Sequence, residues 1–297
     1  MLRSRYKEYQ LDQSPFYCLK SKKKLAKLLQ ISQNKLEMLT LSEDLYIERD
    51  ISDPKKKKSR QVEEPKLPLK RVQKRIEELL KRIKIPDYIY APAKGRSYIS
   101  NAKAHVNAAV VRSLDIKKYF PSTPSTRVSW FFREQMKCSS DVAGILTKLS
   151  TFKNHLPTGS PLSPILSYFA HIDMWEAINE IVEGASCTLT VYMDDVTISG
   201  TQIPGGLIWQ VKKQFHRCGL HDNREKEKHY VGNKPREITG VIVKEGELKL
   251  PNLQHKKMHD CRQSIRIETD PNKRKKLMQS LKGLEAQAQQ IKKANDI

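Results

Sequence analysis

The chain has 297 residues, of which 38% are hydrophobic, so it is long enough to bury a sizeable core. Its 55 lysines and arginines outnumber its 33 aspartates and glutamates and give a formal net charge of +22. This excess attracts polyanions, and because it is spread along the whole chain it favours nucleic acid over an anionic membrane. Five scattered cysteines argue against a disulfide framework or a zinc site. Since no secretory signal and no apolar run of the ~18 residues of a transmembrane helix are present, we expect a soluble, cytoplasmic protein.

The first third of the chain is mostly helical in pattern. Leucines recur at helical spacing within residues 1–50, and Ser32 is a plausible N-cap for the second helix. Pro54 and the lysines at 55–58 predict a loop, which is either the solvated tip of a surface hairpin or a phosphate contact. Apolar residues on one face predict a further helix over residues 69–85.

Strands and helices alternate irregularly in the middle of the chain. A short apolar run at residues 110–114 predicts a strand that ends at Asp115, and helices are expected over residues 126–150 and 163–182. Apolar and hydroxyl side chains then alternate from 187 to 199, interrupted only by Met193, Asp194 and Asp195. This pattern predicts a β-hairpin with two aspartates at its tip.

The last third adds a helix over residues 206–218 that ends at Gly219, and a strand over residues 238–243. A final helix begins at Asp270, its N-cap, with Pro271 in the first turn. Strands interleaved irregularly with helices predict an α+β fold with an antiparallel sheet at its centre.

The two adjacent aspartates of the predicted hairpin carry the chemical signal. Their charges repel one another, and a bound divalent cation would relieve that cost. Asp115, at the end of a neighbouring strand, would complete a hard-oxygen site suited to Mg²⁺. Two such ions clamp the attacking and leaving oxygens of a phosphoryl displacement. An Asp-Asp pair by itself, however, is also ordinary turn chemistry.

Four segments, taken in order, resemble the motifs of reverse transcriptases. Tyr192-Met193-Asp194-Asp195 is similar to the Tyr-x-Asp-Asp signature, and the segment from Asp115 to Ser122 is similar to the first palm motif. Leu156 to Pro164 resembles the Leu-Pro-Gln-Gly-x-x-x-Ser-Pro segment, with Thr158 where the family most often has glutamine. Gly219-Leu220, with Asn223 and Lys226, resembles the segment that brings a lysine to the triphosphate. The resemblance covers about residues 55–245.

Two further motifs resemble those of retron reverse transcriptases. Asn101-Ala102-Lys103-Ala104-His105 is similar to their Asn-Ala-x-x-His element, and Ile238-Thr239-Gly240 is similar to their Val-Thr-Gly element. From the residues alone, His105 can equally be a structural histidine, and Thr239-Gly240 a turn at the end of a strand. Other cellular reverse transcriptases, such as group II intron-like, diversity-generating or CRISPR-associated enzymes, remain alternatives. A catalytically idle RNA-binding scaffold is another, against which the three intact aspartates argue.

The resemblance implies a right-hand polymerase of α+β class. Its parts are an N-terminal helical segment (residues 1–50), fingers (51–105), palm (106–137), a fingers/palm junction (138–165), the rest of the palm (166–245) and a helical thumb (246–297). It also implies roles for individual residues. Asp115, Asp194, Asp195 and the carbonyl of Ile116 would hold two Mg²⁺ ions; Lys58, Arg60, Phe120, Thr158, Gly159 and Lys226 would bind the nucleotide; Asn101, His105, Thr239, Gly240, Asn252, Lys273, Arg274, Lys275 and Lys276 would bind RNA.

By the same resemblance, the chain would copy part of a partner non-coding RNA with deoxynucleotides. Synthesis would start from a 2′-hydroxyl of that RNA and leave a branched RNA–DNA hybrid. The Phe120 ring would lie beneath the sugar and exclude ribonucleotides, and Lys226 would pair with the leaving pyrophosphate or be a solvated helix-end lysine. An effector protein of an antiphage defence system would be a further partner.

Overall fold

The computed structural model describes residues 7–52, 59–232 and 234–296. The helices are α1 (Lys22–Leu28), α2 (Gln33–Leu41), α3 (Leu67–Leu80), α4 (Tyr98–Lys103), α5 (Ser125–Trp130), α6 (Ser140–Ser150), α7 (Ser163–Ala170), α8 (Ile172–Gly184), α9 (Leu207–Arg217), α10 (Asn252–Ile267) and α11 (Pro271–Asn295). The strands are β1 (Tyr46–Ser52), β2 (Ser59–Pro65), β3 (Ile89–Ala91), β4 (Val110–Asp115), β5 (Thr188–Tyr192), β6 (Asp195–Gly200), β7 (Lys228–Val231), β8 (Arg236–Ile238), β9 (Val241–Lys244) and β10 (Glu247–Lys249). Within the described residues, no helix combines the length and the apolar character needed to cross a bilayer.

A five-stranded sheet in the order β3-β5-β6-β4-β7 lies at the centre of the molecule. The β5–β6 pair is the predicted hairpin, and β4 pairs antiparallel with both β6 and β7. The predicted α+β class with a central antiparallel sheet is therefore confirmed, with one parallel pair, β3–β5, at the edge. Two smaller sheets flank it, the β1–β2 hairpin and a three-stranded sheet in the order β10-β9-β8.

Two separate hydrophobic cores support these sheets. In the larger core, α7 and α8 bury nearly all of their apolar residues, with Trp175 of α8 in edge contact with Phe215 of α9. In the smaller core, α4 and the three-stranded sheet pack together with Ile291, near the end of α11. The side chain of Asn295 adds two hydrogen bonds of 2.9 Å to the backbone of Leu248 in β10. The end of α11 is thus fixed to the small sheet.

Four of the predicted elements are wrong in detail. The single helix expected over residues 163–182 is two helices, α7 and α8, divided at His171. The single strand expected over residues 238–243 is two strands, because Thr239 and Gly240 adopt φ values of +44° and +79° and turn the chain back. The helical pattern of residues 1–50 gives way to β1 from Tyr46 onward. The helix expected over residues 126–150 is interrupted between α5 and α6 by a π-helical turn at Phe131–Gln135 and a non-helical link.

Candidate active site

Three aspartates meet at one end of the central sheet. Asp115, the last residue of β4, lies directly opposite Asp195, the first residue of β6. Asp194 occupies the two-residue turn between β5 and β6, and its carbonyl accepts a hydrogen bond of 2.9 Å from the backbone N–H of Ile116. The other turn residue, Met193, has a φ of +59°, which tightens the turn. The register of the strands therefore brings together two aspartates that are about eighty residues apart in sequence.

The electrostatics of this cluster show an excess of negative charge. Burial, followed by the charges of Asp194 and Asp115, raises the pKa of Asp195 to about 6. Lys226 and Lys228 lower it only in part. Asp115 is buried, and its Oδ2 accepts a hydrogen bond of 2.6 Å from the Nζ of Lys226, which raises the pKa of that lysine. The Lys226 ammonium thus offsets part of the negative charge of these carboxylates.

The segment that carries Lys226 is joined to β4 by its backbone. The N–H of Lys117 donates to the carbonyl of His221 at 2.8 Å, and the N–H of Asn223 donates to the carbonyl of Asp115 at the same distance. These bonds extend the pairing of β4 by a few residues beyond its regular end. Lys226, three residues after Asn223, is therefore positioned next to the aspartates by the main chain.

A charged network of four residues holds the two ends of this segment. The Nζ of Lys212, on α9, contacts Asp222 at 2.9 Å and Glu227 at 2.6 Å. Glu227 also forms an ion pair with Arg112, three residues before Asp115 on β4. Burial alone would raise the pKa of Glu227, but the hydrogen bonds from Lys212 and Arg112 outweigh it and the pKa is lowered. The carboxylates are therefore ionised at neutral pH and tie α9 to β4 on both sides of Lys226.

A cavity of about 370 Å³ opens beside the aspartates. Asp115 and Asp195 line it together with Thr239 and Gly240, which lie in the turn between β8 and β9. In the part of the chain that the structure describes, no three carboxylate, imidazole or thiol groups lie close enough together to hold a metal ion as they stand. The donor chemistry nevertheless suits a hard divalent cation, since such an ion would replace the Lys226 ammonium as the counter-charge of the carboxylates.

Comparison with known proteins decides the family. A family model described as "Reverse transcriptase (RNA-dependent DNA polymerase)" matches residues 51–243, which include all three aspartates and both strands that carry them. The chain belongs to the reverse transcriptase family.

Among its relatives, this reverse transcriptase is 29% identical to the Retron Se72 reverse transcriptase of Salmonella heidelberg, over 76% of this chain and 62% of the relative. It is 25% identical to the Retron Ec86 reverse transcriptase of Escherichia coli, over 59% of this chain and 55% of the relative. The chain thus spans about three-fifths of the length of these two relatives. A foamy viral protease-reverse transcriptase solved with double-stranded DNA superposes with a TM-score of 0.46 at 15% identity, covering 94% of this chain and 41% of that chain.

Two of the nucleotide-binding candidates of this reverse transcriptase, Thr158 and Gly159, lie against β2. The hydroxyl of Thr158 donates to the carbonyl of Gln61 at 3.1 Å and accepts from the N–H of Glu63 at 3.2 Å. The N–H of Gly159 donates to the carbonyl of Glu63 at 3.1 Å. A Cβ on Gly159 would lie 2.7 Å from that carbonyl oxygen, so only glycine fits here. Thr158 and Gly159 therefore attach this loop to β2.

The other three nucleotide-binding candidates, Phe120, Arg60 and Lys58, lie in different parts of the chain. Phe120 is half-buried, with its ring centroid 5.9 Å from that of Tyr119. Arg60 lies on β2, opposite Ile51 in the β1–β2 register. Lys58 and the rest of the lysine run lie outside the described residues, although β1 and β2 on either side pair as the predicted hairpin.

The two retron-like motifs are in contact with one another. The side-chain N–H of Asn101, on α4, donates to the hydroxyl of Thr239 at 3.2 Å, and that hydroxyl donates to the carbonyl of Tyr98 at 3.0 Å. Asn101 is buried, so its side chain serves to hold the Thr239-Gly240 turn in place. The motif before β4 and the motif after β7 thus form one unit beside the cavity.

His105 is fully buried beneath the β5–β6 hairpin. Its Nδ1 lies 2.7 Å from the hydroxyl of Ser199 on β6, and its Nε2 lies 2.7 Å from the hydroxyl of Thr190 on β5. Burial lowers the pKa of the ring to about 4. In this conformation His105 fits the structural alternative, because both ring nitrogens are engaged by the protein and neither reaches solvent.

The remaining RNA-binding candidates lie on the two last helices. Asn252 is at the start of α10, and Lys273, Arg274, Lys275 and Lys276 follow one another in the first turns of α11; all are exposed. The Asp270 side chain accepts from the N–H of Asn272 at 2.8 Å, which confirms the predicted N-cap.

Sequence reasoning missed the network of Arg112, Lys212, Asp222 and Glu227, because these charges match no local motif and meet only in the folded chain.

Proposed function

We propose that this chain is an RNA-directed DNA polymerase that copies a structured non-coding RNA into a branched RNA–DNA hybrid. The observation that carries the proposal is the register of Asp115 opposite Asp195, with Asp194 in the adjoining turn, inside the region that matches the reverse transcriptase family. The retron part rests on the contact between Asn101 and Thr239 and on relatives that are named as retron reverse transcriptases.

Asp115, Asp194, Asp195 and the carbonyl of Ile116 would hold two Mg²⁺ ions, which would activate the priming hydroxyl and neutralise the leaving pyrophosphate. The chain's own residues prepare this site. The β4–β6 register keeps two carboxylates adjacent, and the backbone bond between Ile116 and Asp194 fixes the turn. The Lys226 ammonium lies 2.6 Å from the Asp115 carboxylate. Once a metal ion bound that carboxylate, Lys226 would be released from it and would pair with the triphosphate.

The nucleotide would lie between β2 and the end of the central sheet. Phe120 would set the sugar selection, because a bulky ring beneath the sugar clashes with a 2′-hydroxyl. Lys58 and Arg60 would neutralise phosphates from the fingers side. Thr158 and Gly159 would act indirectly by holding their loop against β2, a role supported by the three hydrogen bonds that they make to that strand.

The proposed subdomains are those of a right-hand polymerase fold. Residues 51–105 would be fingers, 106–137 and 166–245 palm, 138–165 the junction between them, and 246–297 a thumb that also reads the cognate RNA; residues 1–50 would form an N-terminal segment. The basic side chains of α11 would grip phosphates of the template duplex. We further propose that the hybrid works in the cytoplasm with an effector protein in antiphage defence, as the retron likeness implies.

The test of catalysis is primer extension on an RNA template with Mg²⁺. Asp115→Asn and Asp194→Asn are each expected to reduce DNA synthesis by about a thousandfold or more, because each removes a carboxylate that would hold the metal ions. RNA binding, measured by filter retention, should stay near that of the wild type. Asp12→Asn, which removes an exposed aspartate far from the sheet in sequence, is the matched control and should remain active. Near-normal extension by either site variant contradicts the assignment.

The retron part has its own test. The protein is co-expressed with a structured RNA encoded beside its gene, and nucleic acid that co-purifies is examined for DNA joined covalently to an RNA 2′-hydroxyl. Recovery of a branched product from the wild type and not from Asp194→Asn supports the proposal. A wild type that extends annealed primers but yields no branched product would be a reverse transcriptase of another kind.

A further inference from the structure

Helix α9 carries a large aromatic residue at the centre of its exposed face. Leu207, Val211 and Phe215 are buried, and at 100° per residue they define the side of the helix that faces the protein. Trp209 and Lys213 project from the opposite side, and the Trp209 side chain is 64% exposed. Its indole is therefore not part of the packing that holds α9 in place.

The other two tryptophans of the chain behave differently. Trp175 is 1% exposed and belongs to the main core, and Trp130 is half-buried with the guanidinium of Arg127 over its ring at 4.1 Å. Every other apolar residue of α9 is buried or half-buried, so Trp209 is an isolated aromatic side chain and not part of an apolar patch. An interface with another protein would ordinarily surround such an anchor with further apolar side chains.

The surroundings of the ring are basic. The Nζ of Lys213 lies 5.2 Å from the ring centroid, one helical turn further along. Arg217 follows at the next turn, exposed, and helix α9 contains no acidic residue. Lysine and arginine at successive turns next to an exposed ring are a combination that binds single-stranded nucleic acid, because the bases stack on the ring and the cations meet the phosphates.

We propose that Trp209, Lys213 and Arg217 form a binding surface for an unpaired segment of RNA, outside the catalytic site. None of the residues that line the cavity beside Asp115 belongs to α9, so this surface lies outside that cavity. The inference rests on the proposed function in that it takes RNA as the natural polyanion of this protein. An unpaired segment is required, since only a base released from a duplex can expose its face to the indole.

The experiment measures binding of a twelve-nucleotide oligo(A) RNA by tryptophan fluorescence and by anisotropy of a labelled oligonucleotide. Because Trp209 is the exposed tryptophan, saturation of the surface should quench its emission. Trp209→Ala should weaken binding by about fivefold or more, the range expected for the loss of one stacked base. Lys213→Gln should reduce the slope of log affinity against log salt by about 0.7, as expected for one phosphate contact with a single strand. Lys23→Gln, on the exposed side of α1, is the matched control and should leave the slope largely unchanged.

Two results would contradict the proposal that this surface binds unpaired RNA. One is wild-type affinity of Trp209→Ala for oligo(A); the other is an equal loss of affinity for a twelve-base-pair RNA duplex, which cannot stack on the ring. Circular dichroism and the melting temperature should be unchanged in both variants, because the side chains are exposed. If Trp209→Ala instead releases a co-purifying protein and binds RNA normally, the surface serves a protein and the proposal fails.

The failure of this inference can be told apart from failure of the proposed function. Extension of a primer already annealed to an RNA template needs the aspartates and does not need the α9 surface, so Trp209→Ala should extend it near the wild-type rate. A wild type that does not extend this primer disproves the polymerase assignment. Oligonucleotide binding can still be measured in Asp194→Asn, where catalysis is removed and the α9 surface is intact.

Discussion

The central sheet and the terminal helical hairpin formed by α10 and α11 differ in how firmly the fold holds them. Strands β5 and β6 bury most of their residues, and even a polar side chain between them, His105, has both ring nitrogens bonded. Helices α10 and α11, by contrast, bury only Met258 and Ile291. The sheet is a rigid support, and the hairpin is joined to the body chiefly at one end.

This contrast matches what each region would have to do. Metal-dependent phosphoryl transfer requires carboxylates held within a fraction of an ångström, and a network such as Lys212 with Asp222 and Glu227 supplies that support. Binding a flexible polyanion needs charge and reach more than fixed geometry. Variants that weaken the sheet should therefore affect the whole molecule, and variants in the hairpin should have local effects.

The largest effect is expected beneath the central sheet, at His105. Its pKa of about 4 lies below the ~6.5 of an unfolded chain, so the unfolded state takes up a proton between these values and the folded state does not. The free energy of unfolding should therefore fall as the pH falls from 6.5 to 4, by about 3 kcal/mol from this residue, with no such loss above pH 6.5. His105→Gln cannot take up this proton and should show a shallower decline.

Urea denaturation of the wild type and His105→Gln at pH 4.5, 5.5 and 7 measures the difference. His171, whose pKa burial lowers to about 3, is present in both proteins and contributes equally. At pH 7 the variant should be the less stable of the two, because glutamine cannot reproduce both bonds to Ser199 and Thr190. Parallel pH profiles would contradict the prediction, because they would mean that His105 takes up its proton as readily in the folded state as in the unfolded state.

A second effect, of about 2 kcal/mol, is expected where the loop at Gly159 meets β2. In Gly159→Ala the new Cβ would lie 2.7 Å from the carbonyl oxygen of Glu63, so the loop must move away from the strand. Thermal denaturation should show the loss of stability, and the KM for deoxynucleotides should rise. Gly144→Ala is the control: it lies inside α6 with no atom within 4 Å of the added Cβ, and should raise stability by up to about 1 kcal/mol.

A third and smaller effect concerns the attachment of the hairpin. Ile291→Val removes one methylene from the side chain that α11 buries in the smaller core and should cost about 1 kcal/mol. Hydrogen exchange should become faster in α11 while β5 and β6 stay protected. Ile267→Val makes the same change at an 81% exposed position of α10 and should have no measurable effect. Faster exchange in the sheet would show that hairpin and sheet unfold as one unit.

The central sheet was the more predictable of the two regions. The alternation at residues 187–199 and the apolar run before Asp115 both reflect half-buried strands, and the strands form there as expected. One strand was predicted over residues 238–243 because apolar residues continue on both sides of Thr239-Gly240, and a turn at these two residues was only an alternative. Helix α10 was not predicted because it buries a single residue and therefore has little hydrophobic periodicity to detect.

Side-chain contacts between residues far apart in the sequence were not predictable from the local sequence pattern. The predicted hairpin and strand made Asp115 a candidate partner of Asp194 and Asp195, and the family resemblance strengthened that grouping. The sequence contains no sign that Arg112 meets Glu227, 115 residues later. The role of Thr158 was open for the same reason, since its bonds to Gln61 and Glu63 depend on how β2 is placed. Secondary structure follows local periodicity, whereas these contacts depend on topology.

The smallest effect is expected for the basic side chains at the exposed start of α11. Lys273 and Lys276 are separated by about one turn and lie far along the helix from its anchor at Ile291. If they contact phosphates of a template duplex, Lys273→Gln and Lys276→Gln should each weaken binding by about tenfold or less and reduce the salt dependence of log affinity by about 0.9. The loss should be the same for every duplex sequence, because a phosphate contact carries no base information. Filter binding at several salt concentrations, with an RNA–DNA duplex of unrelated sequence beside the cognate RNA, measures both quantities. A loss confined to the cognate RNA would instead make these residues readers of RNA structure, and the hairpin would then be a recognition element as well as a grip.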